Sequence, residues 1–181
     1  MTGPNGKDAG FTLLEILVVL LIIGIMMGMA LLSVTPRDRE KEAREELTRF
    51  KTLLDLAARE AALDGREWGV RFASHGYAFL MLDDKNHWIP PPGGERQLHP
   101  RHISDTLSVA LRLEDASHPE DLNIPPKSDV PPQVLISSDG EMTSFELDLG
   151  VPAARDEGVK YRLQVSMTGR GRVEKVVEKK Q

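Results

Sequence analysis

Twenty consecutive residues, Ile16 to Thr35, carry no formal charge, and one carboxylate, Glu15, stands at the entrance to the run. At about 1.5 Å of rise per residue, a helix of that length spans roughly 30 Å, the thickness of a bilayer's hydrocarbon core. Leu, Ile, Val, Met, Gly and Ala supply almost all of it, with Ser33 and Thr35 at the far end. A removable secretory signal has a shorter apolar core followed by a small-x-small cleavage site. Leu31-Leu32-Ser33-Val34-Thr35 makes a poor site of that kind, so the segment is expected to stay as an anchor. Glu15 then calls for a partner, because an acid in the middle of a span costs about 2.5–3.5 kcal/mol or more. Cutting the chain just before Phe11 would create one, a new α-amine. The competing account is a solvated acid at the membrane edge, stabilised by the helix dipole.

The rest of the composition narrows the function classes. A net charge of −5 over 181 residues argues against a nucleic-acid binder, since no global excess of cations exists to displace phosphate counterions. The absence of cysteine excludes a disulfide framework, a thiolate metal site and a thiol nucleophile. Charge does not settle orientation. Arg37, Arg39, Lys41 and Arg44 follow the span and only Lys7 precedes it, which by the positive-inside count places the C-terminal part in the cytoplasm. The N-terminal flank is only ten residues long, however, and Glu40, Glu42, Glu45 and Glu46 are mixed into the other. Within the span, Gly24 and Gly28 form a Gly-x-x-x-Gly pair suited to close helix contact, although glycine is common in such segments.

Beyond the span, Pro36 predicts a kink or short break at Thr35. Helical periodicity then resumes. Ala43, Leu47, Phe50, Leu54, Ala57 and Ala61 recur at alternating steps of four and three, with Leu53, Leu56 and Leu63 expected to widen the stripe. Gly65 predicts the stop. The spacing suits one long helix, apolar all round at first and amphipathic later, packed on the chain's own domain; a short coiled coil would share the spacing. From Trp68 the period becomes two. Trp68–Ala73 and Tyr77–Leu82 predict a hairpin around Ser74-His75-Gly76, and further strands are predicted over Leu107–Leu113, Val134–Ser138, Ser144–Leu149, Tyr161–Met167 and Arg172–Val177. Asp139-Gly140 and Gly169-Arg170-Gly171 predict turns. Pro90–Pro100 and Pro119–Pro132 are expected to be ordered surface loops or mobile insertions. The predicted fold class is α+β, a long N-terminal helix packed on a C-terminal antiparallel β-sheet or β-sandwich domain.

Catalytic constellations are sparse. His99 and His102 lie three apart in a loop, with neither a third ligand nearby nor a helix to hold them. Asp83-Asp84 with His87 could imitate a metal or acid–base cluster but suits a polar turn between strands better. Trp68 and Trp88 are expected to pack in the core or at an edge. The ending, Arg170 to Lys180, alternates basic residues with Glu174 and Glu178 and suits a solvated last strand and tail. No catalytic residue, cofactor site or metal site is expected.

Two groups of residues carry a resemblance. Gly10-Phe11-Thr12-Leu13-Leu14-Glu15-Ile16-Leu17-Val18-Val19-Leu20 resembles the class III signal of type IV pilins and type II secretion pseudopilins. Trp68-Gly69-Val70-Arg71-Phe72, Tyr77-Ala78-Phe79-Leu80, Asn86-His87-Trp88, Asp139-Gly140 and Tyr161-Arg162-Leu163-Gln164-Val165-Ser166, followed by Gly169 to Val173, resemble the H-type minor pseudopilins of the FimT/GspH family. The resemblance implies a pilin-like fold with a leader over 1–10, a transmembrane helix over 11–35, its amphipathic continuation over 36–65 and a periplasmic β-rich domain over 66–181. It implies that a prepilin peptidase cuts between Gly10 and Phe11 and methylates the Phe11 amine, and that Glu15 serves filament assembly. It also resolves orientation: leader in the cytoplasm, a single pass through the inner membrane, domain in the periplasm. The implied role is a structural subunit near the tip of a type II secretion pseudopilus, without enzymatic activity. Implied partners are other minor pseudopilins, the major pseudopilin, the prepilin peptidase and the inner membrane, with no nucleic acid. Two alternatives accompany this reading: a FimT/FimU-like minor pilin priming a type IV pilus and, more distantly, a membrane-anchored periplasmic hydrolase or binding module. One departure from the family is the leader, where Lys7 sits beside Asp8 and family leaders are more basic.

Overall fold

A computed structural model describes residues 13–31, 36–91, 97–114, 116, 119–122, 130–151 and 157–179. The chain divides into two units, Met1–Thr35 and Pro36–Gln181. The first contains α1, Leu13–Leu31, with Glu15 in its opening turn. Leu13, Leu14 and the side chains from Ile16 to Ile23 are all exposed, so the helix is apolar around its whole circumference rather than along one stripe. Among the described residues, no helix is long and apolar enough to cross a membrane. The uncharged run continues in sequence to Thr35, and residues 32–35, where the kink was expected, lie outside the described residues.

The second unit opens with α2, Pro36–Asp64, starting at a residue whose missing N–H a first helical turn leaves unpaired anyway. The predicted stripe is buried throughout: Ala43, Leu47, Phe50, Leu54, Ala57 and Ala61, with Leu53 beside it. Leu63 departs from expectation at 80% exposed. Two residues beyond Ala61, it is rotated about 200° from the stripe and faces solvent. The helix ends as predicted. Gly65 adopts a φ of 63°, and the Arg66 N–H donates back to the Ala61 carbonyl at 3.3 Å, the six-to-one bond of a glycine-terminated helix.

Among the described residues nine strands follow: β1 Trp68–Ala73, β2 Gly76–Leu82, β3 Trp88–Ile89, β4 Arg101–His102, β5 Ser108–Leu113, β6 Val134–Ile136, β7 Phe145–Val151, β8 Glu157–Val165 and β9 Gly171–Lys179. They form two antiparallel sheets. One has the order β3-β2-β1-β6, with β4 also pairing β2; the other has the order β5-β7-β8-β9. The hairpin turn is tighter than predicted: Ala73 pairs with Gly76, leaving Ser74 and His75 as a two-residue loop. β8 begins four residues before the predicted start, and the two-residue strands β3 and β4 were not foreseen. Of the proline-rich stretches, residues 92–96 and 123–129 lie outside the described residues. Their described flanks are tied to the core by Leu98 and Leu122, both buried.

α2 packs against β7, β8 and β9 of one sheet and β1 and β6 of the other. Phe50 sits at the junction, its ring centroid 4.8 Å from Tyr77, 5.3 Å from Phe72, 6.1 Å from Phe79 and 6.3 Å from Phe145. The four-stranded sheet turns Leu111, Leu147, Leu149 and Leu163 toward this core and leaves its alternate residues facing outward. The architecture is thus α+β, a helix packed on antiparallel sheets.

Candidate functional site

Three of the predicted site residues belong to the N-terminal unit. Gly10 and Phe11 lie outside the described residues. Glu15 occupies the first turn of α1 with its side chain exposed, where the partial positive charge of the helix N-terminus favours an acid.

In the second unit, polar groups cluster at three places. The first is the seam between α2 and the sheets. Glu46 is only 8% exposed; its Oε1 accepts from the Tyr77 hydroxyl at 2.9 Å and its Oε2 from Arg49 Nη1 at 2.8 Å. Burial, followed by the adjoining Glu46 carboxylate, raises the Tyr77 phenol well above its ordinary value. Nearer the start of α2, Glu40 Oε2 accepts from Lys175 Nζ at 2.8 Å and from the Tyr161 hydroxyl at 3.1 Å. The Lys175 bond, helped by Tyr161, holds the Glu40 carboxyl below the usual range. The same carboxylate raises Lys175, while desolvation and then Glu40 raise Tyr161.

The second cluster lies on the outer face of the four-stranded sheet. Asp148 and Arg162 face each other across β7 and β8 and form a two-pronged pair, Nε to Oδ1 at 2.7 Å and Nη2 to Oδ2 at 2.9 Å. Lys160 stands 3.4 Å from the same carboxylate. Glu146 joins the lattice, 3.0 Å from Arg162 and 2.9 Å from Arg112. Desolvation pushes the Asp148 carboxyl up, but the Arg162 hydrogen bonds and the charges of Arg162 and Lys160 together hold it below its ordinary value. The Arg162 guanidinium is raised in turn, chiefly by its hydrogen bonds to Asp148. Beside this lattice lies a groove of about 870 Å³ whose lining includes Arg112, Glu146, Arg162, Arg170 and Arg172.

The third cluster gathers the residues with metal-like spacing. His102 on β4 meets His75 from the hairpin turn, ring centroids 6.3 Å apart, and both lie beside Asp105, at 3.3 and 3.4 Å. All three are exposed, as is His99. Asp83, Asp84 and His87 form the turn between β2 and β3. There Asp83 Oδ1 accepts from the Lys85 and His87 backbone N–H groups at 2.8 Å each, and these bonds lower its pKa, the His87 one most. Asn86 takes the left-handed conformation in that turn, φ 62°. Among the described residues, no set of His, Asp and Glu side chains is arranged to hold a metal ion. Trp68 is buried in the core and Trp88 is half-buried at a sheet edge, the two placements expected of them.

Reading the sequence missed the Asp148 lattice and the Glu46–Tyr77 contact. The lattice had a legible signal: Glu146-x-Asp148 and Lys160-x-Arg162 are opposite-charge pairs at strand spacing in consecutive strands. Glu46 had one as well, since it lies three residues after Ala43 and four before Phe50, on the flank of the buried stripe.

Residues 5–31 match the prokaryotic N-terminal methylation motif, and residues 46–169 match the type II transport protein GspH family. Among curated relatives, type II secretion system protein H of Pectobacterium carotovorum is 32% identical over 181 residues, with 94% of each chain covered. Its counterpart in Pseudomonas aeruginosa is 33% identical over 144 residues, covering 77% of this chain and 81% of that one. The minor pseudopilin EpsH of Vibrio cholerae shares the fold at a TM-score of 0.57 and 23% identity, covering 74% of this chain and 96% of that one. The solution structure of Escherichia coli GspH superposes with a TM-score of 0.54 at 24% identity, covering 76% and 89%. The N-terminal methylation motif, the family domain over most of the second unit and the shared α+β architecture make this chain a member of the GspH family, the minor pseudopilins of type II secretion.

Proposed function

We propose that the chain is a structural, non-catalytic subunit near the tip of the periplasmic pseudopilus, where it supports the export of folded proteins across the outer membrane. In this reading residues 1–10 are a cytoplasmic leader, 11–35 a single inner-membrane span, 36–65 its amphipathic continuation and 66–181 the periplasmic domain. A prepilin peptidase cleaves between Gly10 and Phe11 and methylates the new amine. The observation that carries this reading is the coexistence, in one chain, of the methylation motif over residues 5–31 and the GspH domain over residues 46–169.

The chemistry of the junction supports the assignment. Before cleavage Gly10 and Phe11 share a neutral amide. Afterwards the α-amine is largely protonated near neutral pH and supplies a cation with which the Glu15 side chain can pair. In the filament that amine comes from the neighbouring subunit, so the Glu15 pairing sets axial register while the apolar circumference of α1 supplies unspecific packing with the major and minor pseudopilins.

N-terminal sequencing and intact mass of the protein from membranes test the processing step. A chain beginning at N-methylated Phe11 is expected, and one still beginning at Met1 overturns the scheme. Glu15→Ala should leave cleavage intact but sharply reduce incorporation into the filament and secretion; normal secretion by that variant would remove the register role.

A further inference from the structure

The groove on the outer face of the four-stranded sheet presents a charge pattern opposite to that of the whole chain. Two adjacent cross-strand rows lie beside the groove. The first contains Ala110, Asp148, Arg162 and Glu174; the second contains Arg112, Glu146, Gln164 and Arg172. Beyond these, the Glu114 N–H donates to Ser144 and the Ser166 N–H to Arg170, extending the face past the strand ends. Four arginines and two glutamates, Glu114 and Glu146, line the groove, an excess of cations in a chain of net charge −5.

These arginines are not equivalent. Arg162 is committed to Asp148 and Glu146, and Arg112 gives Nη1 to Glu146. Arg170 and Arg172 are exposed, and among the described residues no ion pair engages either. The Gly169 turn and the start of β9 bring both to the same groove, two residues apart, beside the exposed thioether of Met167 and the side chains of Gln164 and Ser144. A guanidinium presents a planar fork of donors that fits a carboxylate.

We propose that this groove docks an acidic, extended segment of another filament subunit, whose carboxylates pair with Arg170 and Arg172. The partner's identity as a filament subunit rests on the proposed function; the carboxylate chemistry rests on the groove alone. A peptide fits better than a nucleic acid. The one aromatic residue in the lining, Phe145, is buried and offers no ring for base stacking. Arg162 and Arg112, held by their own acids, form a fixed floor, so only the two outer arginines must be ordered on binding.

The test uses the full chain in uncharged detergent micelles and a fluorescent eight-residue peptide of alternating Glu and Ser, read by anisotropy. Saturable binding is expected, weakened at least tenfold by Arg170→Glu with Arg172→Glu and weakened by raising salt. Lys85→Glu with Arg59→Glu makes the same change in net charge at exposed positions elsewhere and is expected to leave binding within about twofold. An unchanged urea unfolding midpoint confirms that each variant is folded. Absence of saturable binding, or equal weakening by both pairs, overturns the proposal. So does tighter binding, at the same arginines, of a single-stranded oligonucleotide of equal charge. Because the assay involves no filament, its failure is separable from failure of the assembly reading, which Glu15→Ala tests.

Discussion

Replacing Phe50 with alanine removes the side chain around which α2 and both sheets converge. Its ring is almost wholly buried and touches four others, Phe72, Tyr77, Phe79 and Phe145, at centroid distances between 4.8 and 6.3 Å. Burial of the ring and the cavity left behind together cost about 3–5 kcal/mol for a Phe→Ala change in a close-packed core. Four lost aromatic contacts, each about 0.5–1.5 kcal/mol in isolation and not additive, place this site in the upper half of that range. Typical domain stability is about 5–15 kcal/mol, so the variant should keep its fold with a large part of its margin gone. With a urea dependence of about 2 kcal/mol per molar, the unfolding midpoint should fall by roughly 2 M. Tryptophan emission is the appropriate signal, because Trp68 is buried in this unit and neither tryptophan belongs to α1. Leu63→Ala serves as the control; its side chain is exposed on the opposite face of α2 and should change stability by less than about 0.5 kcal/mol. A loss below about 1 kcal/mol for Phe50→Ala would mean the sheets hold together without the helix, contrary to the packing described here.

Tyr77→Phe should cost about 1–3 kcal/mol in the same assay, because it leaves Glu46 Oε1 buried without its donor; no change would show that water replaces the hydroxyl freely. Asp148 has a folded pKa below its unfolded value, so its contribution is full above about pH 4 and is lost as pH falls through the folded value. The urea midpoint should therefore drop between pH 5 and pH 2, less steeply in Asp148→Asn, with Glu40 contributing a residual slope of the same sign; equal slopes would contradict this assignment. Gly76→Ala would drive a methyl into the Arg101 carbonyl oxygen and should push β4 off β2 at a cost of about 1–3 kcal/mol. An unaltered urea midpoint would show that β4 adds nothing.

Elements governed by local periodicity were legible in the sequence. The α2 stripe, the Gly65 stop and the β1–β2 hairpin follow from spacing and turn chemistry, each within a residue or two. What escaped depended on distant partners. β3 and β4 are two residues long, too short to show a period, and both pair along the one edge of β2 that β1 leaves open. Leu63 looked like core by composition, yet its angular position decides otherwise. Glu46, on the flank of the stripe, gains its partner only when Tyr77, thirty-one residues later, folds over it. At the candidate site the balance is reversed. The N-terminal methylation motif over residues 5–31 is contiguous and so legible in the sequence, whereas Arg170 and Arg172 come together only when β5, β7, β8 and β9 lie side by side.

The clasp of Glu40 with Lys175 and Tyr161 has a mechanical consequence. It fastens the second turn of α2 directly to β8 and to β9, the last strand. A pull applied where α2 begins enters the far end of the chain through two bonds, without first travelling down the helix. The long β8–β9 ladder then shares that pull across its cross-strand hydrogen bonds.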